Sequence, residues 1–339
     1  MSTPPTTTQK KSGEDVALDV ALRPQQWDEF IGQQRVKKNL RILIDAARQR
    51  REPMEHVLFA GPAGLGKTSM AHLVAREMQS SIRITSGPAI ERIGDLASLL
   101  TNLLPGDILF IDEVHRLNKM IEEVLYPAME SRTLDIIIGK GPSARTIQLE
   151  LPPFTLIAAT TRPGLLSSPL RSRFGSTFRL EFYSPEELER VLIRSATVLK
   201  VPLGPEAASV LAASSRATPR VANRLLKRCR DYAQVHGNGT IAHDIVKKAL
   251  ALLEIDELGL EPMDRAIMRV IIEKFSGGPV GLQSLAAAAS EEEDAITDIY
   301  EPYLMQLGFI ERTPRGRMVT EAAYSHLGLA ARKQPTLLS

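Results

Sequence analysis

The 339-residue chain is 43% hydrophobic and carries 42 Lys and Arg against 40 Asp and Glu, a net charge of +2. That length exceeds one compact core and suggests about two or three domains, and the near-neutral balance excludes a globally basic chain, so any nucleic-acid contact must come from local patches. The single Cys229 excludes an internal disulfide framework, and no apolar run approaches the roughly eighteen residues of a membrane span.

Residues 1–16 are polar, rich in Thr and Pro, and without the apolar core of a signal sequence. They read as the disordered leader of a cytoplasmic protein. The apolar run His56 to Ala60 then feeds Gly61-Pro62-Ala63-Gly64-Leu65-Gly66-Lys67-Thr68, which fits the phosphate-binding pattern G-x-x-x-x-G-K-[ST]. The glycines, Gly64 and Gly66 among them, let successive N–H groups face one anion. Lys67 adds a point charge, and a helix predicted from Thr68 to Gln79 offers its positive end. Thr68 is placed to ligate Mg2+.

Further strands are expected at Ile82 to Thr85, Ile108 to Asp112, Phe154 to Thr160 and Ser176 to Phe182, alternating with helical stretches. The fold class is therefore α/β, a parallel sheet covered on both faces. Four apolar residues, Ile108 to Ile111, run into Asp112 and Glu113. Asp112 is positioned for the magnesium shell, and Glu113, one residue on, to orient or deprotonate a water. Between the third and fourth strands, Leu134 to Leu151 forms two β-rich arms about Gly139-Lys140-Gly141-Pro142, a hairpin. The consecutive Ile136, Ile137 and Ile138 cannot all face one covered side, so the hairpin is either packed in the core or exposes apolar surface to a partner protein.

Two arginine constellations follow. Arg171 and Arg173, in Ser168-Pro169-Leu170-Arg171-Ser172-Arg173-Phe174, lie after the fourth strand on the nucleotide side of the sheet. They are either surface ion-pair residues or arginines supplied to a neighbour's γ-phosphate. Ser184-Pro185-Glu186-Glu187 has the signature of a helix start, opening a helical domain that runs to Glu257. Within it, Pro219 suits a first helical position. That puts Arg220 where the helix dipole disfavours a cation, a penalty that phosphate contact would offset. From Glu261 onward, three short helical patterns precede two strands about Pro314-Arg315-Gly316, which predicts a winged helix-turn-helix.

Taken in order, Leu22-Arg23-Pro24, Phe30-Ile31-Gly32-Gln33, the phosphate loop, Leu109 to Leu117, Ala159-Thr160-Thr161-Arg162, Ser168 to Gly175, Thr218 to Arg224, Phe275 to Leu282 and Arg312 to Arg317 resemble the RuvB family of bacterial Holliday-junction branch-migration ATPases, within the AAA+ superfamily. The resemblance runs from Ala17 to Gly328. It implies a large P-loop AAA+ domain over residues 17–183, a small helical lid over 184–257 and a winged-helix head over 258–339. It assigns ATP and Mg2+ as ligands, with Leu22 and Arg23 flanking the adenine and Lys67, Thr68 and Ser69 holding phosphate and metal. Tyr183 falls at the hinge beside the nucleotide, and sensor 1 on Thr160 or Thr161, with Thr161 preferred. Arg173 matches the arginine finger and Arg220 the sensor-2 arginine. Glu130, Ser131 and Arg132 correspond to a segment at the edge of the nucleotide site, although Ser131-Arg132 departs from the family's acidic-aromatic pair.

The same resemblance implies a homohexameric ring around duplex DNA, acting on Holliday junctions without sequence readout. The 134–151 hairpin would dock RuvA, and RuvC belongs to the same machinery. Arg312 and Arg317 would touch DNA from the wing. Residues 259–339 hold eight Lys or Arg against eleven Asp or Glu, so DNA contact is expected only at the wing, with Glu291 to Asp294 turned away. Two other readings share parts of this pattern: a different AAA+ remodeller of clamp-loader type, and a nucleotide-gated winged-helix regulator that reads sequence.

Overall fold

A computed structural model describes Leu18, residues 20–138 and residues 145–330. The first domain runs through α1 (Gln34–Arg50), β1 (Val57–Ala60), α2 (Lys67–Glu77), β2 (Ile82–Ser86), α3 (Ile93–Thr101), β3 (Ile108–Asp112), α4 (Lys119–Glu130), β4 (Thr133–Ile138), β5 (Arg145–Glu150), β6 (Thr155–Thr160), α5 (Ser168–Ser172) and β7 (Ser176–Arg179). Five of the strands form one parallel sheet in the order β2-β3-β6-β1-β7. Its central strands read Val-Leu-Phe-Ala, Ile-Leu-Phe-Ile and Thr-Leu-Ile-Ala-Ala-Thr, buried along those stretches, because helices cover both faces. One face packs Phe59, Phe110 and Ile157 against α1, α2 and the lid; the other packs Leu58, Leu109, Ile111 and Leu156 against α3 and α4.

Where the edges differ from expectation, neighbouring chain decides. The last strand stops at Arg179 rather than Phe182, because its neighbour β1 ends at Ala60 and Gly61 turns into the phosphate loop at φ 144°. One further bond, Leu180 N–H to Ala60 O at 2.8 Å, is the last the neighbour supplies. Similarly α2 closes at Glu77, with Gln79 in the left-handed region at φ 53°.

The two arms β4 and β5 pair antiparallel, Leu134 opposite Leu149 and Ile136 opposite Ile147. Leu134 is fully buried and Ile136 and Leu149 pack against the core, whereas Ile147 is exposed. The hairpin thus has a core-packed base and an apolar residue left outside it. Its turn, Gly139 to Pro142, and the side chains of Ile137 and Ile138 lie outside the described residues.

The lid consists of α6 (Pro185–Val198), α7 (Pro205–Ala213), α8 (Pro219–His236) and α9 (His243–Leu252). Its first helix opens on a capping box: the Ser184 hydroxyl accepts from Glu187 N–H, and the Glu187 carboxylate accepts from Ser184 N–H. The head follows with α10 (Pro262–Phe275), α11 (Leu282–Ala289) and α12 (Glu293–Ala295), which continues through a π turn (Ile296–Tyr300) into α13 (Glu301–Gln306). Then come the antiparallel pair β8 (Ile310–Thr313) and β9 (Gly316–Val319), and α14 (Glu321–His326). Among the described residues no helix is long and apolar enough to cross a membrane.

Lid and head are joined by a buried ion pair, Arg216 with Asp264, whose side chains are 8% and 0% exposed. Arg216 also lies 4.8 Å over the Tyr303 ring and donates to Ile299 O. Arg216→Ala removes the arginine counter-charge from the fully buried Asp264 carboxylate. Denaturant unfolding should report a loss of about 3–5 kcal/mol in the lid–head unit; an unchanged midpoint would contradict this role.

Candidate active site

Three parallel strands deliver their carboxyl ends to one edge of the sheet. From β1 comes the phosphate loop, in which Gly64 and Gly66 take φ of 85° and 97°, a region costly for any residue with a Cβ. A Cβ on Gly64 would also lie 3.0 Å from the Arg220 side chain, so the lid helix α8 sits directly on the loop. Thr218 caps that helix, accepting from Val221 N–H, and Pro219 opens it.

Lys67 is 6% exposed, and its Nζ donates to Gly61 O at 2.6 Å and Pro62 O at 2.8 Å. Desolvation lowers its ammonium to about 8, with Glu113 and Asp112 opposing that shift. Lys67 is thus a buried cation held by backbone carbonyls, in position for polyphosphate. The oxygens of Thr68 and Asp112 stand 3.5 Å apart across the loop. That hydroxyl–carboxylate pair suits Mg2+, which binds through one or two protein oxygens plus substrate phosphates. Among the described residues no group of three His, Cys, Asp or Glu is placed to hold a metal ion.

Glu113 follows Asp112 in the left-handed region at φ 50°. Such strain in a non-glycine residue is characteristic of sites where a side chain must be aimed. Gly87 makes room for it, since a Cβ there would stand 2.4 Å from Glu113 O. The Glu113 carboxylate accepts from Thr161 Oγ1 at 3.2 Å and lies 3.3 Å from His115 Nδ1. Thr160 is fully buried, with its Oγ1 3.0 Å from His115 Nδ1. The preferred sensor position, Thr161, is therefore the one that touches Glu113, while Thr160 acts behind it.

Lys67, Thr68, Asp112 and Glu113 line a cavity of about 550 Å³, whereas the expected Thr161 is not in its lining and reaches the site through Glu113. The expected Leu22, Arg23, Gly64, Gly66, Lys67, Thr68, Ser69, Asp112, Glu113, Tyr183 and Arg220 all line it. Tyr183 is buried, donates from its hydroxyl to Leu65 O at 3.3 Å and joins Ala217 through its backbone N–H, which ties hinge, loop and lid together. Arg194 was not anticipated: from α6 it donates to Leu22 O at 2.9 Å and pairs with Glu29, holding the Leu22–Arg23 segment over the cavity. Nothing in its local sequence marks it, since its partners lie over 160 residues away.

Glu130, Ser131 and Arg132, expected at the edge of the nucleotide site, do not line this cavity. They end α4, and Glu130 instead pairs with Arg173 at 2.9 Å. Arg173 also donates to Pro169 O and lies 4.7 Å over the Tyr126 ring. That tyrosine is itself fixed, its hydroxyl 2.7 Å from Ser167 Oγ and 3.2 Å from the buried Glu122. Arg312 and Arg317 both clamp Glu301, which is 1% exposed. Arg317 is 15% exposed and Arg312 49%, so only Arg312 keeps a broad open face.

Models of three domains match in succession: the Holliday junction DNA helicase RuvB P-loop domain over residues 22–180, the RuvB AAA lid domain over 183–256 and the RuvB C-terminal winged helix domain over 257–328. The chain belongs to the RuvB family. It is 59% identical over 316 residues to the Holliday junction branch migration complex subunits RuvB of Dehalococcoides mccartyi and Chloroflexus aggregans, covering 93% of this chain and 90% of each relative. The solved Thermotoga maritima RuvB Holliday junction branch migration motor superposes with a TM-score of 0.85 at 50% identity, covering 92% of this chain and all of that one. This RuvB-family chain is accordingly a nucleotide-binding P-loop ATPase with an AAA+ lid and a winged-helix head.

Phosphate in the loop should restore Lys67 toward an ordinary lysine value, so nucleotide binds the protonated form. Affinity for ATP should fall as pH rises through about 8. Calorimetry in two buffers of different ionisation enthalpy should detect proton uptake at about pH 8.5 and almost none at about pH 7. Equal uptake at both would contradict a depressed Lys67.

Proposed function

We propose that this RuvB-family ATPase works as a homohexameric ring around duplex DNA, hydrolysing ATP at each subunit boundary and moving Holliday junctions in recombination and repair. The observation that carries the proposal is the separation of Arg173 from the chain's own cavity. It stands apart with Tyr126, Ser167 and Glu130, and an arginine so placed has its use on a neighbour's γ-phosphate. In this reading Glu130, Ser131 and Arg132 sit beside the finger at the edge of the neighbour's site.

Within one subunit the geometry supports the following roles. Lys67 and the loop N–H groups hold the phosphates, and Arg220 reaches them from the lid. Thr68 and Asp112 would hold Mg2+, which would supply positive charge to the transferred phosphoryl group. Glu113, which Thr161 and His115 contact before it acts, takes the proton of the attacking water. Because α8 rests on the phosphate loop at Gly64, loss of the γ-phosphate changes what Arg220 grips and hence the lid angle.

The partners are the finer part of the proposal. The hairpin, with Ile147 exposed beyond its packed base, docks RuvA. RuvC joins the same complex, and the protein works in the cytoplasm. Arg312 contacts duplex phosphate, with Arg317 holding Glu301 and through it the wing. A sequence-reading regulator is less well supported, since it would leave Glu113 and its two partners without a task.

Dissociation of a synthetic four-way junction tests the whole reading. It should require ATP, RuvA and intact Glu113, with Glu113→Gln binding nucleotide yet inert. Arg173→Ala should lower turnover by roughly 10³-fold or more. ATP turnover with intact junctions would overturn the branch-migration reading and leave a different AAA+ remodeller.

A further inference from the structure

The acidic segment of the head, out of place in a DNA-binding domain, has a partner in the ATPase domain. Arg162 is 23% exposed and donates from Nε to Asp298 Oδ1 at 2.6 Å, while its Nη2 lies 3.0 Å from Asp294 Oδ1. The backbone N–H of the same residue donates to Thr160 Oγ1 at 3.0 Å. That hydroxyl contacts His115, and His115 and Thr161 together occupy the Glu113 carboxylate. A continuous set of polar contacts therefore runs from Glu113 to the head.

On its far side the set reaches the wing. Asp298 lies in the π turn Ile296–Tyr300, a backbone irregularity often found at functional positions. Ile299 O in that turn accepts from the lid residue Arg216, and Glu301, the next residue after the turn, holds Arg312 and Arg317. One short segment is thus tied to all three domains through successive residues.

We infer that Asp298 and Arg162 form a clasp by which the head restrains Glu113, both acting on ATP hydrolysis through Thr160 and Thr161 without touching the nucleotide. With the clasp closed, Arg162 fixes Thr160 and Thr161, and the Glu113 carboxylate stays engaged with Thr161 and His115. Duplex pressing on the wing shifts Glu301 and the π turn, draws Asp298 from Arg162 and frees Glu113 to face water. Asp294 and Asp298 are acids because their partner is an arginine of the ATPase domain rather than a phosphate.

The inference rests on the motor reading, and ATP turnover with and without duplex DNA separates the two. The full-length wild-type ring should be stimulated by unrelated duplexes; if it is not, the motor reading fails and the clasp with it. In Asp298→Ala, turnover without DNA should rise several-fold and the ratio with to without DNA should fall toward one, while KM for ATP stays unchanged. The exchanged pair Arg162→Asp with Asp298→Arg should recover at least half of the wild-type ratio. A wild-type ratio in Asp298→Ala would overturn the clasp, as would a lost ratio that the exchanged pair does not recover. Asp298 is 30% exposed on its helix, so Asp298→Ala should fold normally, and an unchanged thermal midpoint checks this.

Discussion

The parallel register of β3, β6 and β1 is the constraint on which the remaining chemistry depends. Ile111 pairs with Ala158, and Ala60 with Thr160, so Asp112, Thr160 and the first residue of the phosphate loop emerge within two residues of one another along the sheet. A slip of one residue would turn every side chain to the opposite face. It would separate Thr68 from Asp112 and Thr161 from Glu113 at once. The buried apolar runs of these strands hold the register, because each side chain already has a covered slot on one face or the other.

Electrostatics then spread the site over separate elements of the chain. Lys67 sits in a desolvated loop where a cation is costly without phosphate, so the loop favours an anion over water. Arg220 comes from the lid, Arg173 faces away with a fixed aromatic beneath it, and Arg162 faces the head. Each arginine faces a different part of the structure, an arrangement that suits the proposed conversion of phosphate loss into domain rotation. Guanidinium groups suit this work because they stay charged and make several directed hydrogen bonds at once.

Local patterns were legible in the sequence, whereas distant partnerships were not. The phosphate loop, the Asp112-Glu113 pair and the Ser184 capping box each lie within a few residues, so spacing alone carries their geometry. The early end of β7 depends on Gly61 turning away in a neighbouring strand, which no pattern within 176–182 records. Likewise, the segment Glu130–Arg132 is near the site in sequence logic but leaves it because α4 runs off toward Arg173. Arg194 over Leu22, Arg162 on Asp298 and the two wing arginines on Glu301 join residues from separate elements. Their signal is three-dimensional, and single-sequence reading has no access to it.

The central claim, that each active site is completed by the neighbour's Arg173, is tested most directly by mixing two inactive proteins. Lys67→Ala cannot hold nucleotide but keeps its finger, and Arg173→Ala holds nucleotide but lacks one. If the finger acts in trans, mixed rings should regain ATP turnover in proportion to boundaries where an intact Arg173 faces an intact loop. If mixing restores nothing while both proteins enter common rings, Arg173 serves its own subunit and the account of the boundary site is wrong.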